Sequence, residues 1–271
     1  MKRAIVMAIS VLLALIVALP MAVGQVGQGS KASGAAAKSA AAWWQWALSK
    51  PVEDSPLIGG DPDYSEEQCD GTPVTPTQGK KWFLAGTLDG SVVERTCTMP
   101  VGTQLFFPVV NCVAFPFAPG ETEENQRQAC IDYIDSVLED PEFSMLVTVD
   151  GKEVKSNRIV RALSPVFTVT LPENNIFGIP AGEYGSASAA GLWVTLPPLP
   201  PGEHTIHFEM SAPTVGVTQD NTYYLTVTTP SGTAPATTPA TAATTPGATT
   251  PPTTATTPAA TTPPAEPPPL P

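Results

Sequence analysis

The chain has 271 residues and is acidic, with 13 basic against 25 acidic side chains and a formal net charge of −12. Nucleic acid is excluded as a partner, because phosphate binding needs clustered lysine and arginine. A hydrophobic content of 42 % excludes disorder throughout the chain. Two histidines and four cysteines leave little material for histidine-based catalysis or a zinc site with several ligands, and no cofactor is predicted.

The N-terminus has the organisation of a secretory signal peptide. Lys2 and Arg3 precede an apolar run over residues 4–19, which small residues follow. This order predicts a signal peptide over residues 1–24, cleaved after Gly24, and hence a secreted, extracellular or cell-surface protein. An uncleaved anchor is the alternative, although the run is short for a membrane span of about 20 residues. No later segment is apolar enough to span a bilayer, so no membrane span is predicted after cleavage.

The C-terminal end has a different composition. Residues 229–271 are almost entirely threonine, proline and alanine, and their single charge is Glu266. Such a segment buries too little apolar area to offset the entropy of ordering, so a disordered Thr/Pro-rich tail is predicted. Its Thr-Thr-Pro units are typical of stalks that carry O-linked sugars, and an unmodified spacer fits them equally well.

A first helix is predicted near the start of the mature chain. A flexible segment rich in glycine, serine and alanine covers residues 25–34, and the helix formers of 35–48 follow it before Pro51. Trp43 and Trp46 lie on a broad apolar face of this helix. Large aromatic side chains at this spacing predict a helix held to the core by aromatic burial rather than a platform for a sugar.

A second helix is predicted over residues 121–139. It starts with Glu121, Glu123 and Glu124, at the end where a helix dipole favours negative charge. One face carries an apolar stripe, formed by Cys130, Ile134, Val137 and Leu138. This stripe predicts that the helix packs on the core, and Pro141 ends the pattern.

The remaining body is predicted to be β structure. Ten short strands are predicted over 82–88, 91–98, 104–110, 145–149, 152–154, 159–163, 167–171, 192–196, 204–210 and 222–227. Asp-Gly pairs at 89–90 and 150–151 predict two hairpins. The pattern indicates a mostly β fold, an antiparallel β-sandwich of Ig-like or jelly-roll-like type with two peripheral α-helices. One domain over 35–228 is favoured, and a separate Ig-like domain from Glu142 is the alternative.

The four cysteines lie within this body, at Cys69, Cys97, Cys112 and Cys130. An even number of cysteines in an exported protein predicts two disulfides, for which three pairings are possible. The pairing of Cys69 with Cys97 and of Cys112 with Cys130 is favoured because each bond joins neighbouring segments. A metal site is not predicted, since the cysteines form no C-x-x-C pair and no histidine is near.

Four segments resemble those of a known group of proteins. They are WWQW at 43–46, WFLAGT at 82–87, RTC at 95–97 and LFFPVVN at 105–111. Together they resemble a family of uncharacterised secreted bacterial and archaeal proteins that carry WFLAGT-like and FFPxxN-like segments. The resemblance extends over much of residues 40–228. It implies an exported protein, and it transfers no catalytic residue.

No catalytic residue is predicted from the residues themselves. His204 and His207 are three apart on one predicted strand, so their side chains point to opposite faces and do not share a metal ion. No nucleophile elbow occurs in the chain. A pair of carboxylates could still hydrolyse a glycosidic bond, although no particular pair stands out.

Two segments have residues suited to a ligand. The acidic segment 61–70 offers the oxygen ligands that calcium prefers, but it departs from the common calcium-loop pattern, and a solvated acidic loop is the simpler interpretation. Residues 172–191 are predicted to form a long loop. Its polar and aromatic side chains are candidates for a contact surface: Asn174, Asn175, Phe177, Glu183 and Tyr184.

The sequence therefore predicts a secreted or cell-surface, non-catalytic binding or structural module for an extracellular glycan or protein. A secreted, glycosidase-like hydrolase that uses carboxylates is the first alternative. A calcium-stabilised extracellular structural protein is the second.

Overall fold

The computed structural model describes residues 30–59 and 81–229, all of which belong to one compact unit. The elements in chain order are α1 (Ser30–Leu48), β1 (Lys81–Phe83), β2 (Val93–Pro100), β3 (Gln104–Ala114), α2 (Glu123–Leu138), β4 (Ser144–Val149), β5 (Lys152–Glu153), β6 (Ile159–Leu163), β7 (Phe167–Leu171), β8 (Gly182–Leu196), β9 (Gly202–Ala212) and β10 (Val217–Thr228). The mostly β fold class with two α-helices is therefore confirmed. Neither of these helices is both long and apolar enough to cross a membrane.

Several sequence predictions concern residues that lie outside the described ones. These are the signal peptide over 1–24, the acidic segment 61–70, Cys69, and all of the tail except Thr229. The prediction of a flexible segment over 25–34 is wrong for its second half, because α1 already begins at Ser30. Apart from Gly34, these residues carry no strong helix breaker, so the helix extends beyond its alanine-rich part.

The strands form two five-stranded sheets. Sheet A has the order β1-β3-β8-β6, with β7 also paired to β8, and sheet B has the order β2-β10-β9-β4-β5. β1 is parallel to β3 and β2 is parallel to β10, whereas the other pairs are antiparallel. The sheets are thus mixed and not purely antiparallel as predicted. The segment between β1 and β2 crosses from sheet A to sheet B, so neither strand folds back on the other.

The two predicted Asp-Gly hairpins have different outcomes. The pair at 150–151 is confirmed, because Val149 lies opposite Lys152 and the two turn residues have φ values of 51° and 72°, as this type of tight turn requires. The hairpin at 89–90 is wrong. Gly90 has a positive φ of 73°, but the chain leaves sheet A after Phe83. The backbone N–H of Ala85 donates to the Tyr223 hydroxyl (3.0 Å) instead of to a partner strand.

Sheets A and B pack face to face, as a sandwich requires. The rings of Phe107 on β3 and Phe208 on β9 meet with centroids 4.8 Å apart, and both side chains are fully buried. α2 packs on the same face of sheet A through its buried stripe and is joined to β3 by the predicted Cys112–Cys130 disulfide. Cys97 is also disulfide-bonded, and the pairing predicted for it involves Cys69, outside the described residues.

α1 covers the opposite face of sheet A. Its Trp43 and Trp46 are each 1 % exposed and pack on a cluster that includes Phe83, Phe106 and Trp193. The rings of Phe106 and Trp193 are stacked, with centroids 5.2 Å apart. The predicted burial of the α1 tryptophans is therefore confirmed. Sheet A is buried on both faces, which explains why side chains on both sides of β8 are apolar or small.

β8 is longer than the sequence predicts. Residues 182–191, predicted to belong to a loop, are part of this strand, because their low strand propensity is overridden by the packing of sheet A. Small side chains are required there. A Cβ atom on Gly191 would lie 2.5 Å from the carbonyl oxygen of Val110 on β3. The strand is thus built from small residues where neighbouring layers approach it closely.

Candidate binding surface

Four aromatic side chains form a cluster that reaches the surface, here called the aromatic patch: Phe115, Phe117, Phe177 and Tyr184. Phe115 lies at its centre, and its ring centroid is 5.8 Å from that of Phe117, 5.6 Å from Phe177 and 5.5 Å from Tyr184. Phe115 is 4 % exposed, whereas Phe117 is 58 % and Phe177 42 % exposed. Two phenylalanine rings thus project into solvent above a buried third ring.

The topology of sheet A places these residues together. β3 is antiparallel to β8, so the end of β3 at Ala114 lies beside the first part of β8, opposite Ser188. β7 is also antiparallel to β8, and Leu171 lies opposite Gly182. The segment that follows β3 and the loop over 172–181 therefore meet at the same end of the sheet, beside the start of β8. Aromatic residues that are distant in the sequence become neighbours there.

Asn175 fixes the conformation of the loop over 172–181. Its side-chain amide donates to the carbonyl oxygens of Pro172 (2.8 Å) and Ile179 (2.7 Å), and its Oδ1 atom accepts from the backbone N–H of Phe177 (3.2 Å). The Tyr184 hydroxyl donates to the Pro180 carbonyl oxygen (2.8 Å). Phe177 and Tyr184 are thus held in place before any ligand arrives, which reduces the entropy lost on binding.

Glu121 fixes the other half of the patch. Its carboxylate accepts hydrogen bonds from the backbone N–H groups of Phe117 (2.8 Å) and Ala118 (3.0 Å), and these bonds lower the pKa of Glu121. The sequence placed Glu121 inside the start of the second helix. In the structure Thr122 is the N-cap, accepting from the N–H of Asn125 (3.3 Å), and Glu121 instead holds the segment that carries Phe117.

The contact surface predicted from the sequence is only partly assembled. Phe177 and Tyr184 lie in the aromatic patch, whereas Asn175 is buried and serves the loop. Asn174 bonds to the short turn after α1, since its carbonyl oxygen accepts from the N–H of Val52 (2.7 Å). Glu183 is exposed on β8.

Sequence reasoning missed Phe115 and Phe117. The signal that could have identified them is the run Phe-Pro-Phe-Ala-Pro directly after a strand. Proline ends strand pairing, so aromatic residues in such a run are placed in a loop rather than in the sheet core.

The two histidines lie on opposite faces of β9, as predicted. His204 is nearly buried, with its side chain 11 % exposed, and its Nδ1 atom lies 2.9 Å from a carboxylate oxygen of Asp150. Its Nε2 atom lies 3.0 Å from the carbonyl oxygen of Pro200. Both ring nitrogens therefore face acceptors. The bond to Asp150 raises the pKa of His204 above its ordinary value of 6.5.

We expect this raised pKa to make stability depend on pH. A histidine whose pKa is higher in the folded than in the unfolded protein stabilises the fold fully below pH 6.5, and it loses that contribution as the pH rises through the folded-state pKa. Between pH 6 and pH 9, the melting temperature of the native protein should fall more than that of His204→Gln. Calorimetry across this range measures the difference, and parallel curves would contradict it.

The carboxylates beside His204 do not form a free catalytic pair. Asp150 and Glu203 line a cavity of about 200 Å³ together with His204. Both oxygens of Asp150 are already engaged, one by His204 and the other by the backbone N–H of Thr205 (2.9 Å). Asp150 therefore holds the β4–β5 turn against β9. Its geometry gives no particular support to the hydrolase alternative.

Comparisons with known proteins identify no family. No protein-family model matches the chain, and no curated protein matches it. The chain is similar to the solution structure of Amebosin, with 12 % identity and a TM-score of 0.20 over 55 % of this chain and 100 % of Amebosin. It is also similar to the cysteine protease inhibitor EhICP2 of Entamoeba histolytica, with 12 % identity and a TM-score of 0.20 over 54 % of this chain and 96 % of the inhibitor.

Two further solved structures show a similarity of the same low degree. PbICP-C, in a complex with falcipain-2, shares 13 % identity at a TM-score of 0.20, over 56 % of this chain and 100 % of its own. A family 123 glycoside hydrolase from Clostridium perfringens shares 12 % at a TM-score of 0.21, over 50 % of this chain and 23 % of its own. Scores this low carry no inference about function. The family resemblance of the four sequence segments stays a prediction.

Proposed function

We propose that this protein is an extracellular, non-catalytic binding protein that recognises a protein partner through the aromatic patch. The observation that carries the proposal is the exposure of Phe117 and Phe177, 58 % and 42 %, on loops that hydrogen bonds hold in one conformation. Large aromatic side chains lose unfavourable contact with water when a partner covers them, and they are enriched among the residues that dominate binding energy. Preordered loops add to affinity because little entropy remains to be lost.

The chemistry of the patch favours a protein over a glycan. A sugar presents many hydroxyl groups, and binding it requires polar side chains that are available for hydrogen bonds. Several polar groups beside the patch are already used internally, since the Asn175 amide, the Tyr184 hydroxyl and one oxygen of the Glu121 carboxylate bond to the backbone. The phenylalanine side chain itself has no polar atom. The patch is therefore suited to apolar side chains of another protein.

An extracellular location is supported by the Cys112–Cys130 disulfide. Such bonds persist in oxidising compartments and are rare in the reducing cytosol. The predicted signal peptide agrees with export, and the predicted Thr/Pro-rich tail would act as a spacer beyond the folded body.

The partner can be sought by photo-crosslinking at the patch. We expect p-benzoylphenylalanine at position 117 to cross-link one specific protein from the extracellular fraction of the producing organism. The affinity of that protein is then measured by surface plasmon resonance for the native chain, Phe117→Ala and Phe177→Ala. Each substitution should weaken binding at least tenfold, because a buried aromatic anchor contributes 2 kcal/mol or more in many interfaces, roughly a thirtyfold change.

Tyr224→Ala is a matched control for this experiment. Tyr224 is 43 % exposed, close to the 42 % of Phe177, but it lies on sheet B outside the aromatic patch. Its substitution should change affinity less than twofold. If the probe at position 117 gives no more cross-linking than the probe at position 224, the patch is refuted as the binding site. A glycan array that binds the native chain but not Phe177→Ala would replace the protein partner by a glycan.

A further inference from the structure

Three metal-ligating side chains converge on the outer face of sheet B. His207 and Glu209 project from β9, and Asp220 projects from β10, where it lies directly opposite Glu209. The His207 Nε2 atom is 3.0 Å from a carboxylate oxygen of Asp220 and 3.9 Å from one of Glu209. One ligand atom from each of the three residues lies within 4.8 Å of the other two. The side chains are 27 %, 45 % and 45 % exposed, so an ion can reach them from solvent.

The electrostatic environment of this group favours a cation. Like charges directly opposite each other on neighbouring strands are destabilising, and Glu209 and Asp220 form such a pair. Buried and solvent-facing side chains alternate along each strand, and this alternation shows which residues share the outer face of sheet B with the three ligands. On the described strands β2, β4, β9 and β10, the positions on this outer face include Glu94, and none of them is lysine or arginine. His207 is the only ion-pair partner of the two carboxylates among the described residues.

We propose that His207, Glu209 and Asp220 bind a divalent transition-metal ion, with Zn²⁺ as its best match. Zinc takes histidine nitrogen and carboxylate oxygen at about 2.0–2.2 Å in a tetrahedral arrangement, which places ligand atoms about 3.4 Å apart. The two distances from His207 Nε2, 3.0 and 3.9 Å, bracket this separation. Because the three donor atoms lie within 4.8 Å of one another, rotation of the two carboxylates would be enough to bring them onto one ion. The fourth position is left to water.

Calcium does not fit these donors. It takes six to eight oxygen ligands and does not favour imidazole nitrogen. Three donors on an open sheet face, one of them nitrogen, instead follow the preference of zinc for few ligands of mixed type. The site is also separate from the aromatic patch, which lies on sheet A. The metal proposal is therefore independent of the proposed protein-binding function.

Isothermal titration of the full chain with ZnCl₂, after treatment with a chelator, tests the proposal. We expect one zinc ion per chain. His207→Ala and Asp220→Asn should each weaken binding at least tenfold, since loss of one of three ligands removes a direct bond to the ion. CaCl₂ should compete with zinc only weakly. Circular dichroism confirms that each variant is folded.

His204→Ala is the matched control. His204 is also paired with a carboxylate on β9, but both of its nitrogens are engaged and it has no third ligand nearby among the described residues. Its substitution should leave zinc affinity unchanged. An absence of zinc binding, equal binding by His207→Ala, or an equal loss in His204→Ala would each overturn the proposal. Equal binding by His207→Ala would place the ion elsewhere, for example at the acidic segment 61–70.

A second measurement separates metal binding from a purely structural role. In the absence of metal, Glu209→Gln should raise the melting temperature, because it removes one charge of the opposed Glu209–Asp220 pair. Zinc should raise the melting temperature of the native chain more than that of Glu209→Gln, because the variant binds the ion more weakly. A zinc-dependent rise of equal size in both proteins would count against these ligands.

Discussion

Replacing Trp43 with alanine is expected to lower the free energy of unfolding by about 3–5 kcal/mol, as is usual when a large aromatic side chain is removed from a core. Trp43 is 1 % exposed. Its ring contacts those of Trp44, Trp46 and Trp193, with centroids 4.9, 5.7 and 5.7 Å away. Its indole N–H donates to the Leu84 carbonyl oxygen (2.8 Å), which ties α1 to the chain just after β1. Chemical denaturation followed by tryptophan fluorescence and circular dichroism measures the loss.

Trp44 provides a matched comparison that isolates this hydrogen bond. Trp44 is 3 % exposed, but its buried indole N–H has no hydrogen-bond partner among residues 30–59 and 81–229. Substitution by phenylalanine removes similar volume at both positions. Trp43→Phe leaves the Leu84 carbonyl oxygen without its donor, whereas Trp44→Phe removes an unsatisfied N–H. Trp43→Phe should therefore cost about 1–3 kcal/mol more than Trp44→Phe. Equal losses would show that the hydrogen bond contributes nothing.

Elements with a local signal were predictable from the sequence. β6 and β7 have the predicted bounds, Ile159–Leu163 and Phe167–Leu171, because alternation and flanking turn residues define a short strand locally. α2 was predicted to within two residues at each end, from its acidic start and apolar stripe. The burial of α1 followed from the spacing of its tryptophans.

Strand pairing was not predictable in the same way, because partners are chosen by contacts between distant segments. Gly90 has the positive φ that an Asp-Gly turn requires, yet β1 pairs with β3 and β2 pairs with β10. The first part of β8 was missed for a related reason. Its glycine and alanine residues have low strand propensity, but close approach of neighbouring strands and helices selects small side chains there.

The candidate sites show the same limit. The length of the 172–191 segment directed attention to Phe177 and Tyr184, but Phe115 joins them only because β3 runs antiparallel to β8. The sequence also separated His204 from His207 correctly. It could not place Asp220 beside His207, since that neighbourhood depends on the register between β9 and β10.

A buried arginine joins three separate parts of the fold, and its replacement is the second large effect we expect. Arg95 on β2 is 2 % exposed. Its Nη1 atom donates to the Ala85 carbonyl oxygen (2.7 Å) and to the Tyr223 hydroxyl, and its Nη2 atom donates to the Pro56 carbonyl oxygen (2.7 Å). The Tyr223 hydroxyl also donates to the carbonyl oxygen of Ala85 (2.8 Å). The guanidinium thus links the chain after α1, the segment that follows β1, and strand β10.

Arg95→Met is expected to lower the free energy of unfolding by about 3–5 kcal/mol, measured by urea denaturation, because the Pro56 carbonyl oxygen loses the donor that satisfies it in the core. Arg95→Lys should cost less, since an ammonium group can retain part of this network but not its fork geometry. A cycle with Tyr223→Phe tests the network directly. The double variant should lose at least 1 kcal/mol less than the sum of the single losses, as expected for residues that share partners. Strict additivity would show that Arg95 and Tyr223 contribute to stability independently of each other.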